Sequence, residues 1–198
     1  MDETFLEAFY VVPPKVLGKQ LLPFSCGRAM NLEVLESPFM RGGLITPPDL
    51  IVGVWVCSQK YKDCKAKMQK SVLSEEAEKE LEQEAFEWGQ AEKVWRFEET
   101  REIFETYISA FTKAPSRWKK QTHRKPKAPW PLVVATTLIR DLRIPIDEAW
   151  EMPLPEALWY FAAVAELDGD DSLVTPEERE RLRIAKENAA KLQEELNV

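Results

Sequence analysis

The chain has 198 residues, 44% hydrophobic and 31% charged, which is enough to bury a sizeable core and too apolar for wholesale disorder. A formal net charge of −7 argues against non-specific nucleic-acid binding as the main activity. Cys26, Cys57 and Cys64 form no CxxC pair, which points to free thiols in a reducing cytoplasm. No apolar run reaches the roughly 18 residues a membrane span needs, and the opening "MDETFLEAFY" is acidic and mixed, unlike a secretory leader.

In chain order, "YVVPPKVLGKQLLPF" holds two short β-prone stretches around Gly18-Lys19, the pattern of a small hairpin. Ser25 can cap a helix running to about Glu36, with Ala29, Leu32 and Leu35 on one side and the bond before Pro38 ending it. In "MRGGLITPPDLIVGVWVCSQ" the Gly42-Gly43 pair reads as a turn. Thr46 reads as an N-cap, with prolines in the first turn and Asp49 near the positive helix end. The Val-rich run Leu50 to Cys57 is also compatible with a buried strand; the start signal favours a helix.

From Ser74 to Phe111 no proline occurs and strong helix formers dominate. Ala77, Leu81, Ala85, Trp88 and Trp95 share one face, and beyond Arg96 the apolar set becomes Phe97, Phe104, Ile108 and Phe111. The second set lies roughly 150° round from the first. Either the helix breaks near residues 96–100, or one rod of roughly 55 Å meets different partners at its two ends.

"TKAPSRWKKQTHRKPKAPWP" is a basic, proline-studded linker, and a helix with Leu132, Ala135, Ile139 and Leu142 aligned follows it, ended by Pro145. "IDEAWEM" adds a short helical turn, and an oily helix runs from Pro153 to Leu167. "DGDDSL" is a loop before a last helix, where Thr175, Pro176 and Glu178 form a capping box.

Little in this pattern is catalytic. Counted from Asp168, "DGDDSLVTPEER" has Leu173 and Arg179 where a calcium loop needs Gly and a bidentate Glu. His123 is the only histidine and sits among lysines and arginines with no orienting partner. Residues 113–127 carry seven Lys or Arg and no acid, with Trp118 as a stacking platform if they touch nucleic acid. A loop solvated or attracted to the chain's own acidic helix is the favoured reading, because residues 74–105 carry twelve Glu against four Lys or Arg. Cys57 reads as a core thiol and Cys64 as a surface one. No metal, cofactor or catalytic residue is expected. A carboxylate-only enzyme stays as a third possibility.

The oily helix poses the sharpest question. Glu156 and Glu166 lie about 80° apart on it, and the remaining arc presents Leu154, Ala157, Leu158, Trp159, Tyr160, Phe161, Val164, Ala165 and Leu167. Such a helix is either central and covered by its own neighbours, or open along one strip near Trp159 or Tyr160 that docks a partner helix.

"PPKVLGKQLLPFSCGRAMNLEVLESPF" and "APWPL…DEAWEMPLPEALWYFAAVAELDGD" resemble proteins of bacteriophage tail-morphogenesis clusters, of the tail assembly chaperone kind. The resemblance implies a mostly helical, cytoplasmic, non-catalytic protein. It would shield apolar helices of a tape measure or tube protein during tail building and be absent from the mature virion. A structural virion component, such as a tail or baseplate connector, is the alternative, and homo-oligomers are compatible with both. The fold expected is mainly α: a multi-helix domain with a long Glu-rich helical arm and a small N-terminal hairpin. Its parts are an N-terminal helical part (1–72), the arm (73–112), the basic linker (113–129) and a C-terminal helical part (130–198), and the helical parts can pack as one domain. The residues expected to touch a partner are Trp88, Trp95, Phe97 and Phe104 on the arm, with Trp159 and Tyr160 on the oily helix.

Overall fold

A computed structural model of the chain describes residues 9–74, 76, 79, 83, 87, 96–115, 127–169 and 173–196. It is mainly helical, with one small antiparallel sheet near the N-terminus. Strands β1 (Lys15–Val16) and β2 (Lys19–Gln20) pair Lys15 with Gln20 and Val16 with Lys19. The turn between them needs positive φ at both central residues, and Leu17 (47°) and Gly18 (70°) adopt it.

Helix α1 (Cys26–Val34) starts at Ser25, whose Oγ accepts from the Arg28 N–H at 3.3 Å. The bond before Pro38 is the expected end of this helix; the structure ends it earlier, by a different device. Glu36 turns left-handed at φ 55°, Glu36 N–H donates to Glu33 O, and Ser37 N–H donates to Leu32 O. This paired closure satisfies the last carbonyls, so the proline has nothing left to terminate. Pro38 instead opens α2 (Pro38–Arg41). The same correction holds at Pro145. Helix α6 (Trp130–Asp141) closes through Arg143 at φ 55°, with Ile144 N–H reaching back to Leu138 O, and Pro145 caps the start of α7 (Ile146–Glu151). A fixed φ near −65° suits the first helical turn, where no N–H partner is needed.

The Val-rich run is α3 (Pro47–Ser58), a helix, held at its start by Thr46 N–H donating to Asp49 Oδ2 at 2.8 Å. Helix α4 (Tyr61–Leu73) ends at an extended Ser74, and α5 (Phe97–Phe111) begins after an extended Arg96. Of the two readings of the arm, the break is therefore the one found at Arg96. Between these points Glu76, Lys79, Gln83 and Glu87 are helical; Trp88 and Trp95 lie outside the described residues, as does His123. Helices α8 (Leu154–Leu167) and α9 (Pro176–Leu196) complete the chain, and Thr175 and Glu178 make the expected reciprocal cap.

The helix at the centre is α1, not the oily α8. It packs against α2, α3, α4, α6 and α7, and the buried core runs from Val16 to Ala157. Gly27 makes one of these approaches feasible: a Cβ there would sit 2.8 Å from Trp150 O and 2.6 Å from Tyr61 Cδ2. The extended segment before α1 ties three elements together through its backbone. Leu22 N–H donates to Cys57 O, Phe24 O accepts from Leu154 N–H, and Leu22 O accepts from the Tyr107 hydroxyl at 2.7 Å.

Candidate functional site

Helix α5 buries one apolar face in the core and leaves a mixed face, with Ile103 on it, at the surface. Phe104, Tyr107, Ile108 and Phe111 are buried, with Phe97 packed against them. Phe104 was expected to offer contact surface; it is fully enclosed. Its ring meets Phe39 edge-on at 4.8 Å, and Gly53 lets it approach, since a Cβ there would lie 2.9 Å from Phe104 Cε1. Phe97 is partly buried beneath the Arg101 guanidinium, 5.8 Å from its ring centre.

The other face borders water. Ile103, Thr106 and Ala110 fall on one side of α5 at helical spacing, and the chain entering the hairpin, Val11 to Pro14, runs beside them. Between the two lies a groove of about 370 Å³ floored by the buried rings of Tyr107 and Phe111. Ile103 is 42% exposed and Val12 84%. The reading of the sequence missed this groove. A signal for it was present: Ile103 stands off the Phe97–Phe104–Ile108–Phe111 row, an apolar residue on the helix's polar side.

Helix α8 covers only part of its oily surface. Leu154, Pro155, Ala157 and Ala162 are buried, chiefly where the helix meets α6. Tyr160 (37% exposed), Ala163 and Leu167 (88% exposed) form an outward strip at helical spacing, while Trp159 is half-buried. Burial first, and Glu156 second, push the Tyr160 hydroxyl above its ordinary value. The groove and this strip are thus built from different elements, and the expected contact residues are not brought to one place.

Reactive chemistry is poorly served here. Cys64, expected at the surface, is buried like Cys26 and Cys57, because its turn of α4 faces the core. Burial pushes all three thiols from 9.0 up to about 12, so each is held as the neutral, weakly nucleophilic form near neutral pH. Buried Arg28 makes hydrogen bonds to Gln59 O (2.8 and 3.1 Å), Pro23 O (3.1 Å) and Ser25 Oγ (3.0 Å), and pairs with Glu151 Oε2 at 3.0 Å. Its donors are committed to the fold. Among the described residues no group of His, Cys, Asp and Glu could hold a metal ion, and no helix is long and apolar enough to cross a membrane. No family model, curated protein or solved structure matches the chain.

Proposed function

We propose that this chain is a non-catalytic assembly protein that covers apolar helices of a larger structural polypeptide, in the manner of a tail assembly chaperone for a tape measure or tube protein in the bacterial cytoplasm. The observation that carries the reading is the α5 groove, where Ile103 and Val12 stand in water above an aromatic floor. The outward strip of α8 supports it, and so do thiols held protonated by burial. An apolar groove of this kind accepts the apolar face of an amphipathic helix, which leaves its polar face to water.

Quantifying the protein in purified particles tests the reading. A chaperone is absent or far below the copy number of the tube protein. A fixed, stoichiometric copy number in washed particles would transfer the same surface to a permanent virion component.

A further inference from the structure

We infer that the α5 groove discriminates among apolar helices by charge: it takes those that carry a lysine or arginine beside their apolar stripe, with Glu102 as the residue that meets the cation. This selectivity rests on the helix-binding reading above. Four glutamates stand on α5, and three of them already have partners. Glu98 and Glu105 pair with Arg101 (2.8 and 3.6 Å), and Glu99 pairs with Arg96 (3.8 Å). Glu102 is different: it is exposed, lines the groove, and has no ion pair among the described residues.

A free carboxylate on the lip of an apolar groove sets three different outcomes for three kinds of guest. A neutral apolar helix lying in the groove takes water from Glu102 and returns nothing, which costs free energy. An acidic helix adds like-charge repulsion where the dielectric is lowered. A helix with a cation at that position replaces the lost hydration with a charge-assisted contact. The geometry also fixes a spacing. Glu102 and Phe111 are separated by about 13.5 Å along the helix axis, so in a guest helix lying along α5 the cation stands about two and a half turns from the side chain seated over Phe111.

Fluorescence anisotropy with the full-length chain tests this directly. Two synthetic helical peptides serve as probes, both with leucines at i, i+3, i+4 and i+7, one flanked by lysines and the other by glutamates. The lysine peptide should bind at least about tenfold more tightly than the glutamate peptide. Glu102→Lys should narrow or reverse that ratio, and Ile103→Ser, which removes apolar contact without adding charge, should weaken both peptides by about tenfold. Both side chains are exposed, and circular dichroism melts check that each variant stays folded. If both peptides bind the native chain and neither substitution changes their affinities, the groove is not the site while the helix-binding reading survives. If the substitutions act only on a dimer seen by light scattering, the groove belongs to a second copy and the inference is overturned. If neither peptide binds, the inference falls together with the reading it rests on.

Discussion

Arg28 and Glu151 form an ion pair at 3.0 Å that joins the central helix to the short helix α7, far away in the chain. Arg28 is 2% exposed and Glu151 34%. The second carboxylate oxygen, Oε1, accepts the Tyr61 N–H at 2.6 Å, so one side chain links α1, α4 and α7. Glu151→Ala leaves a buried guanidinium without its counter-charge. It should cost about 3 kcal/mol in urea unfolding, at the low end for such pairs because Glu151 is partly hydrated. Glu151→Gln keeps an acceptor for Tyr61 and should cost less. Equal losses for the two variants would mean that the charge carries the whole effect and the acceptor for Tyr61 adds nothing; a Glu151→Gln variant as stable as the native chain would mean that the charge contributes nothing.

Gly27 lies against the Tyr61 ring, which stacks on Trp150 (5.1 Å between centres), and against the Trp150 carbonyl. Gly27→Ala gains about 1 kcal/mol of helix propensity but pushes on the Tyr61 ring and the Trp150 backbone, at a cost of about 1–3 kcal/mol. A net loss of stability is expected, with a change in tryptophan fluorescence that reports the disturbed stack.

Phe104 and Tyr160 were both read as partner contacts, and they separate cleanly on stability. Phe104→Ala empties a fully enclosed site and should cost about 3–5 kcal/mol. Tyr160→Ala removes an exposed ring and should change stability by about 0.5 kcal/mol or less. Chemical denaturation of the two variants side by side checks the pair.

The buried thiols predict alkaline sensitivity. In the unfolded chain a thiol loses its proton near 9.0; Cys26, Cys57 and Cys64 in the folded chain hold theirs to about 12. The folded state therefore binds more protons between those values. The stabilisation is complete below pH 9 and is lost as pH rises toward 12. Buried Tyr107, raised well above its ordinary 10.0 chiefly by desolvation, acts with the same sign at higher pH. Urea midpoints should be flat from neutrality to about pH 8.5 and fall beyond it, and the fall should be shallower in a Cys57→Ala, Cys64→Ala variant.

Features set by neighbouring residues were legible in the sequence. The small hairpin, the Ser25 and Thr46 helix starts and the Thr175–Glu178 cap each depend on a few adjacent side chains, and each is present, with the hairpin's turn at Leu17-Gly18, one residue before the Gly18-Lys19 pair the pattern marks. What depended on distant partners was not legible. Nothing around Arg28 in "FSCGRAMN" announces that Gln59 O and Glu151 will enclose it, so α1 did not stand out as the centre and α8 did. Prolines 38 and 145 read as helix ends, although backbone closure upstream frees both to start helices. The α5 groove needed the chain from Val11 to Pro14 to fold back beside Ile103, a juxtaposition no local pattern contains.

In the proposed function another polypeptide covers the apolar surface exposed at the α5 groove and the α8 strip. Co-expression of this chain with a tape-measure-type tail protein from the same genome, followed by size-exclusion chromatography with light scattering, tests that most directly. A soluble complex of fixed stoichiometry, weakened by Ile103→Ser in the groove, is the result predicted. The contrary result is a tail protein that precipitates to the same extent with or without this chain, and a chain that elutes alone.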